Sequence, residues 1–218
     1  TVLSIWVDAS SQLTCGDNTI TLTNKRTDYA LNVQGTLVPN NSIIVITTNS
    51  DAYMKVDNGT INTLTISPAG GDTIMLANNL TCGGNVEVTA GTFDTMNRNL
   101  TAVLVHGNGT VKTGTGTYTA SNDWRPDNTL LNADGGTFTG MDHFGGAFNC
   151  NDKTATIACK RFHSGIAMSN GDKIKPRDGS DSGANLNEGG TLSAGDTTLT
   201  VQANSIGDND YIRINDEF

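Results

Sequence analysis

The sequence predicts an all-β protein: a short parallel β-solenoid with coils of about 25 residues, followed by a small C-terminal β module. Composition is the first observation behind this. Of 218 residues, 32 are Thr, 25 Asn and 25 Gly, while Glu occurs only three times. Thr suits a pleated strand, Asn and Gly suit turns, and strong helix formers are scarce. The second observation is a motif that returns at a nearly constant interval. Its copies are Gly35-Thr36-Leu37-Val38, Gly59-Thr60-Ile61-Asn62, Gly84-Asn85-Val86-Glu87, Gly109-Thr110-Val111-Lys112 and Gly136-Thr137-Phe138-Thr139. The third is the form of each unit: a Gly corner, a short strand with an apolar second residue, then another turn and strand. One such coil cannot bury its own apolar face, but a stack of coils can. An antiparallel meander or sandwich also has short strands at regular spacing; the repeat favours the solenoid.

Taken in order, residues 1–34 read as an entry and attachment segment, with Asn18-Thr19-Ile20-Thr21-Leu22-Thr23 as an alternating strand. Residues 35–168 read as the solenoid body. Leu37, Ile61, Val86, Val111 and Phe138 are expected to form one inward ladder; Ile44, Ile74 or Leu76, Leu100 and Val103 are expected to form a second. Thr at outward positions would form hydroxyl ladders, and the corner glycines would admit φ > 0. Residues 121–135 break the rhythm and read as a loop thrown out of the stack. Ala155–Phe162 restores a strand. Residues 169–190, rich in Gly, Asp and Ser, read as a linker, and 191–218 as the small β module. A chain that opens on Thr1 and stops at Phe218, where another strand is due, is expected to be part of something longer.

The formal charge of −9 and a sequence pI near 4.5 exclude the basic face of a nucleic-acid binder and disfavour an anionic membrane surface. No run approaches the apolar length of a membrane span. Cys15, Cys82, Cys150 and Cys159 allow three pairings, and spacing selects none. They lack the spacing of a zinc site and read as buried thiols.

Two stretches carry a resemblance. Asn79-Leu80-Thr81 with Gly84-Asn85-Val86-Glu87-Val88-Thr89-Ala90-Gly91-Thr92-Phe93-Asp94-Thr95 resembles the strand repeats of β-helical viral fibre and adhesin-like proteins. Ala194-Gly195-Asp196-Thr197-Thr198-Leu199-Thr200-Val201 and Gly207-Asp208-Asn209-Asp210-Tyr211-Ile212-Arg213-Ile214 are similar to small β modules of bacteriophage tail and appendage proteins. The resemblance covers residues 35–140 and 190–218. It implies a virion structural protein, a homotrimer, with no catalytic residues to carry over. About five copies of the repeat suit a short spike or a capsid-decorating knob better than a long fibre.

Candidate chemistry is sparse. His106, His143 and His163 lie far apart, and no nucleophile elbow accompanies Asp142-His143. Glycoside cleavage would need paired carboxylates, for which Asp123, Asp127, Asp134 and Asp142 are the candidates; Asp in such loops ordinarily serves turns. The Asp-rich turns match no calcium loop. Asn-x-Ser/Thr sequons at Asn40, Asn58, Asn79, Asn99 and Asn108 read as corner chemistry. Trp124 and Arg125, in Asn122-Asp123-Trp124-Arg125-Pro126-Asp127, are the candidate contact residues: a projecting Trp could stack on a sugar or anchor a partner. The expectation is therefore a non-enzymatic tail-fibre, spike or capsid-decoration subunit, located in the virion, without cofactor or metal. Its partners would be itself, other virion proteins and host-surface carbohydrate. The alternatives are a bacterial cell-surface adhesin and a polysaccharide-degrading tailspike.

Overall fold

The structure, a computed structural model, describes residues 1–125, 131–132, 135–144, 148–149, 154–162, 173–176 and 192–193. Among these residues every element is a strand, and almost every pairing is parallel, so the chain is a β-solenoid. Each coil lays one short strand on each of three faces.

The first face stacks β1 (Ile5–Val7), the first halves of β4 (Tyr29–Val38) and β6 (Ala52–Gly59), then β8 (Thr73–Leu76), β11 (Thr92–Asp94), β13 (Thr110–Lys112), β15 (Leu131–Asn132) and β17 (Phe148–Asn149). The second holds β2 (Gln12–Thr14), the ends of β4 and β6, a bridge between Ile61 and Cys82, and β9 (Leu80–Thr81). It continues through the first halves of β12 (Leu100–His106), β14 (Thr117–Arg125), β16 (Thr137–Phe144) and β18 (Thr154–Phe162) to β19 (Lys173–Pro176). The third stacks β3 (Thr19–Leu22), β5 (Ile43–Ile46), β7 (Thr63–Ile66), β10 (Val86–Val88) and the second halves of β12 to β18. β20 (Leu192–Ser193) runs antiparallel to β19. β4 and β6 each serve the first and second faces, and from β12 on one strand serves the second and third, with register shifts at Val33/Thr36, Ala102/Leu104 and Phe138/Met141 where the strands bend.

Alternation sends every second side chain inward. On the third face this column reads Ile20, Ile44, Leu64, Val86, Val105, Trp124 and Phe144. On the second it reads Leu80, Leu100, Tyr118, Phe138 and Ile157. Except for the half-buried Ile20, these side chains have between 0% and 3% of their surface exposed. The column turns from aliphatic to aromatic along the axis. Tyr118, Trp124, Phe138 and Phe144 form one ring cluster, with centroids 5.0 to 5.9 Å apart.

The first coil matches the interval of the motif, and the later coils are shorter than it. Ile20 stacks on Ile44, Leu64 on Val86, and Val105 on Trp124. This corrects the single inward ladder. Leu37, Ile61, Val86, Val111 and Phe138 are all buried, but Leu37, Ile61 and Phe138 belong to the second face, Val86 to the third and Val111 to the first. The longer step of the motif, taken on a shorter coil, walks round the cross-section. The second expected ladder is likewise spread over three faces, and Val103 sits half-buried at a bulge.

The boundaries shift too. Residues 1–34 are part of the stack, because β1 and β2 pair with β4 and β3 pairs with β5. Residues 121–125 do not leave it but complete β14. Within the expected linker, Lys173–Pro176 add a strand to β18. The rest of 169–190 and of the expected terminal module lies outside the described residues, apart from Leu192–Ser193.

The corners explain the Asn and Asp content. Asp17 Oδ1 accepts from the Asn41 carboxamide at 3.0 Å, Asp51 Oδ1 from the Thr73 N–H at 2.8 Å, Asn79 Oδ1 from the Asn99 N–H at 2.9 Å and Asn99 Oδ1 from the Thr117 N–H at 2.9 Å. Each side chain accepts a hydrogen bond from the next coil, at the corners where strand pairing lapses. The sequon residues Asn79 and Asn99 belong to this chain of bonds.

Of the five motif glycines only Gly59 has positive φ, at 118°. Gly84 and Gly109 are needed for space instead: a Cβ there would lie 2.7 Å from the Asn62 carbonyl oxygen and 2.6 Å from Val88 Cγ1. Gly107 combines both demands, with φ 121° and the Val88 carbonyl oxygen where its Cβ would go. We expect Gly107→Ala to lower stability by about 1–3 kcal/mol, read as a shift in the urea midpoint by circular dichroism; an unchanged midpoint would contradict this close approach.

Candidate functional site

Trp124 does not project. It lies within β14, between Val105 and Phe144 in the inward column, with 0% of its surface exposed. Its ring meets Phe138 edge-on at 5.2 Å and Tyr118 at 5.9 Å. The local sequence, rich in Asn, Asp and Pro, reads as a loop, but parity in the strand decides the direction: Asp123 and Arg125 flank the inward position. Its indole Nε1 has no hydrogen-bond partner. A contact role for Trp124 is thus replaced by a packing role. Arg125 ends the strand in register with His106.

What the register brings together around Trp124 is a set of charged positions. Along the axis, Glu87, His106 and Arg125 occupy one column, and Asp123, His143 and Arg161 the column beside it. In the second, His143 Nδ1 donates to Asp123 Oδ1 at 2.8 Å. The Asp123 side chain keeps 6% of its surface and that of His143 keeps 30%. The sequence offered Asp142 as the neighbour of His143; the fold supplies Asp123, one coil away. Asp127 and Asp134 lie outside the described residues. A salt bridge, Lys112 Nζ to Asp94 Oδ2 at 3.1 Å, ties two coils of the first face. Opposite charges in register support the stacking of the coils.

The aromatic rings that meet solvent lie elsewhere. On the outer side of the first face, Trp6, Tyr29 and Tyr53 follow one another over three coils. Trp6 meets Tyr29 edge-on at 6.1 Å and Tyr29 meets Tyr53 at 5.7 Å. Trp6 is 38% exposed. Its Nε1 donates to Asp8 Oδ1 at 3.0 Å, and the Arg26 guanidinium sits 5.5 Å from its ring centroid. Asn32 lies in register between Trp6 and Lys55, and Lys55 Nζ pairs with Asp57 at 2.6 Å. Sequence reasoning passed over Trp6, because its segment read as an entry strand. The alternation Ile5, Trp6, Val7 places Trp6 outward once Val7 is known to be buried.

Cys15 and Cys82 are buried thiols, as the sequence suggested; Cys159 is half-buried, and Cys150 lies outside the described residues. Burial pushes the Cys82 thiol from 9.0 up to about 12. Burial also raises the Tyr118 hydroxyl, although bonds to Thr95 and Gly116 oppose the shift. Among the described residues no group of three or more His, Cys, Asp or Glu side chains is placed to hold a metal ion. Comparison with known proteins finds no matching family model, curated protein or solved structure.

Two outcomes follow from these placements. Trp124→Ala should cost about 3–5 kcal/mol, as a large core truncation does, whereas a surface contact would cost about 0.5 kcal/mol or less; urea denaturation distinguishes the two. The fold holds Cys82 protonated, so its contribution is complete below the unfolded thiol pKa near 9.0 and is lost as pH rises toward about 12. Between pH of about 8 and about 11, Cys82→Ala should therefore lose less urea resistance than the wild type. An equal loss in both would place the Cys82 thiol in solvent.

Proposed function

We propose that this chain is a non-enzymatic structural protein of a virion, a tail-fibre, spike or capsid-decoration subunit that gives a stiff β scaffold for attachment. The observation that carries the reading is the continuous parallel stack itself. Main-chain pairing runs through successive coils on all three faces, one inward column is filled without interruption from Ile44 to Phe144, and the charged columns are in register with it. Such a body resists bending and offers long flat faces. It suits a part that holds other surfaces together.

A flat stack also has exposed strand edges at its ends, which proteins cover to avoid uncontrolled pairing. In this reading a homotrimer and the neighbouring virion proteins supply that cover, and a host-surface carbohydrate is the target of attachment. The resemblance of residues 35–140 and 190–218 to phage appendage proteins supports the same assignment.

The test has two arms. Light scattering on the purified chain should give three times the 22.8 kDa subunit mass, and mass spectrometry should find the chain at fixed stoichiometry in purified particles. Recovery from the bacterial cell-surface fraction alone would identify an adhesin instead. Release of reducing ends from host polysaccharide, abolished by Asp123→Asn, would identify a depolymerase.

A further inference from the structure

Asn32 poses a question that the fold leaves open. Its side chain is 2% exposed, and its carboxamide oxygen has no hydrogen-bond partner. A buried acceptor without a donor is costly, and native proteins leave few of them. This one lies on the outer side of the first face, in register with Trp6 and Lys55 and beside the Trp6–Tyr29–Tyr53 ladder. An unmet acceptor and a set of solvent-facing rings thus share one patch.

We propose that Trp6, Tyr29, Tyr53 and Asn32 form a binding site for a pyranose ring of a glycan. This rests on the attachment reading above and names the ligand of that function. A pyranose has an apolar C–H face, which an aromatic ring covers, and a rim of hydroxyls that both donate and accept. Trp6 and Tyr29 offer the rings. Asn32 Oδ1, buried in the unbound fold, takes a hydroxyl hydrogen when Lys55, in register with it, swings aside, and Arg26 gives up the face of Trp6 to the sugar. Arg26 donates and the Asp8 carboxylate accepts at the Trp6 edge.

The surroundings select against other occupants. Asp8, Asp28 and Asp57 border the patch, Arg26 lies over Trp6 and Lys55 is paired with Asp57, so carboxylates outnumber cations there, and the whole chain carries −9, which disfavours a polyanion. The other exposed large apolar residues among those described are Val2, Leu3, Ile43 and Met96, too few to make the extended apolar core of a protein interface. A neutral polyol satisfies the acceptor without either requirement.

The chain has two tryptophans, and the second, Trp124, is buried in the core. In a Trp124→Phe background, indole fluorescence therefore reports Trp6 alone. The experiment measures acrylamide quenching of the full chain with cellohexaose, chitotetraose, maltoheptaose and a mannan fragment as probes. At least one should lower the quenching constant about twofold, as a ligand that covers Trp6 takes it out of solvent. Asn32→Leu should weaken that probe about tenfold, the loss expected for one hydrogen bond to a buried acceptor. The same variant should melt no lower than the parent, because an unmet acceptor has been replaced by an apolar side chain. Tyr53→Ala, at the end of the ladder away from Trp6, should also weaken binding. Unchanged quenching with all four probes overturns the site, as does binding that survives both substitutions. Either failure leaves the particle-subunit reading untouched, since that is decided by particle composition and subunit mass.

Discussion

The structure depends on parallel main-chain pairing between successive coils. Parallel strands hydrogen-bond about 4.8 Å apart, so a residue chosen for one coil sits directly on its counterpart in the next. The inward columns are filled because each apolar residue packs on another apolar residue. The corner Asn and Asp residues reach the next coil because the coil spacing matches the reach of their side chains. Without that pairing no single coil buries enough surface to hold its shape.

Two devices keep the stack in register as its contents change. Early coils use aliphatic fillings such as Ile44, Leu64 and Val86, with β4 and β6 running across the first and second faces. Later coils use one long strand across two faces and fill the inside with Tyr118, Trp124, Phe138 and Phe144. The bulges at Ala102/Leu104 and Phe138/Met141 absorb the corner in these longer strands. Rings meeting edge-on, with centroids 5.2 to 5.9 Å apart, fill the interior where the coils are shortest. Glycines such as Gly59 and Gly107 lie where the chain of one coil presses on the carbonyl oxygens of the one before.

The same geometry sorts the outer surface by face. The third face gathers Glu87, His106, Asp123 and His143 from four strands into two charged columns. The first gathers Trp6, Tyr29 and Tyr53 from three coils. On the second, Thr81, Thr101, Thr119 and Thr139 follow one another as the hydroxyl ladder that the Thr content suggested. None of these groupings is close in sequence. They give the described stack chemically distinct faces.

By itself the sequence determined the class. Thr, Asn and Gly stand in place of helix formers, and one motif returns at a steady interval. Together these leave a stack of short strands as the arrangement that buries Val86, Val111 and Phe138. Only the tertiary structure decided which residues share a column. The three strands of a coil look alike in sequence, so the same repeat fits a shorter coil equally well while drifting from face to face along the stack. The same ambiguity hid the direction of Trp124 and of Trp6. Composition marks a segment as strand or turn, but parity within the strand sends one Trp into the core and leaves the other in solvent, and parity is fixed only when the neighbouring coils lock the register.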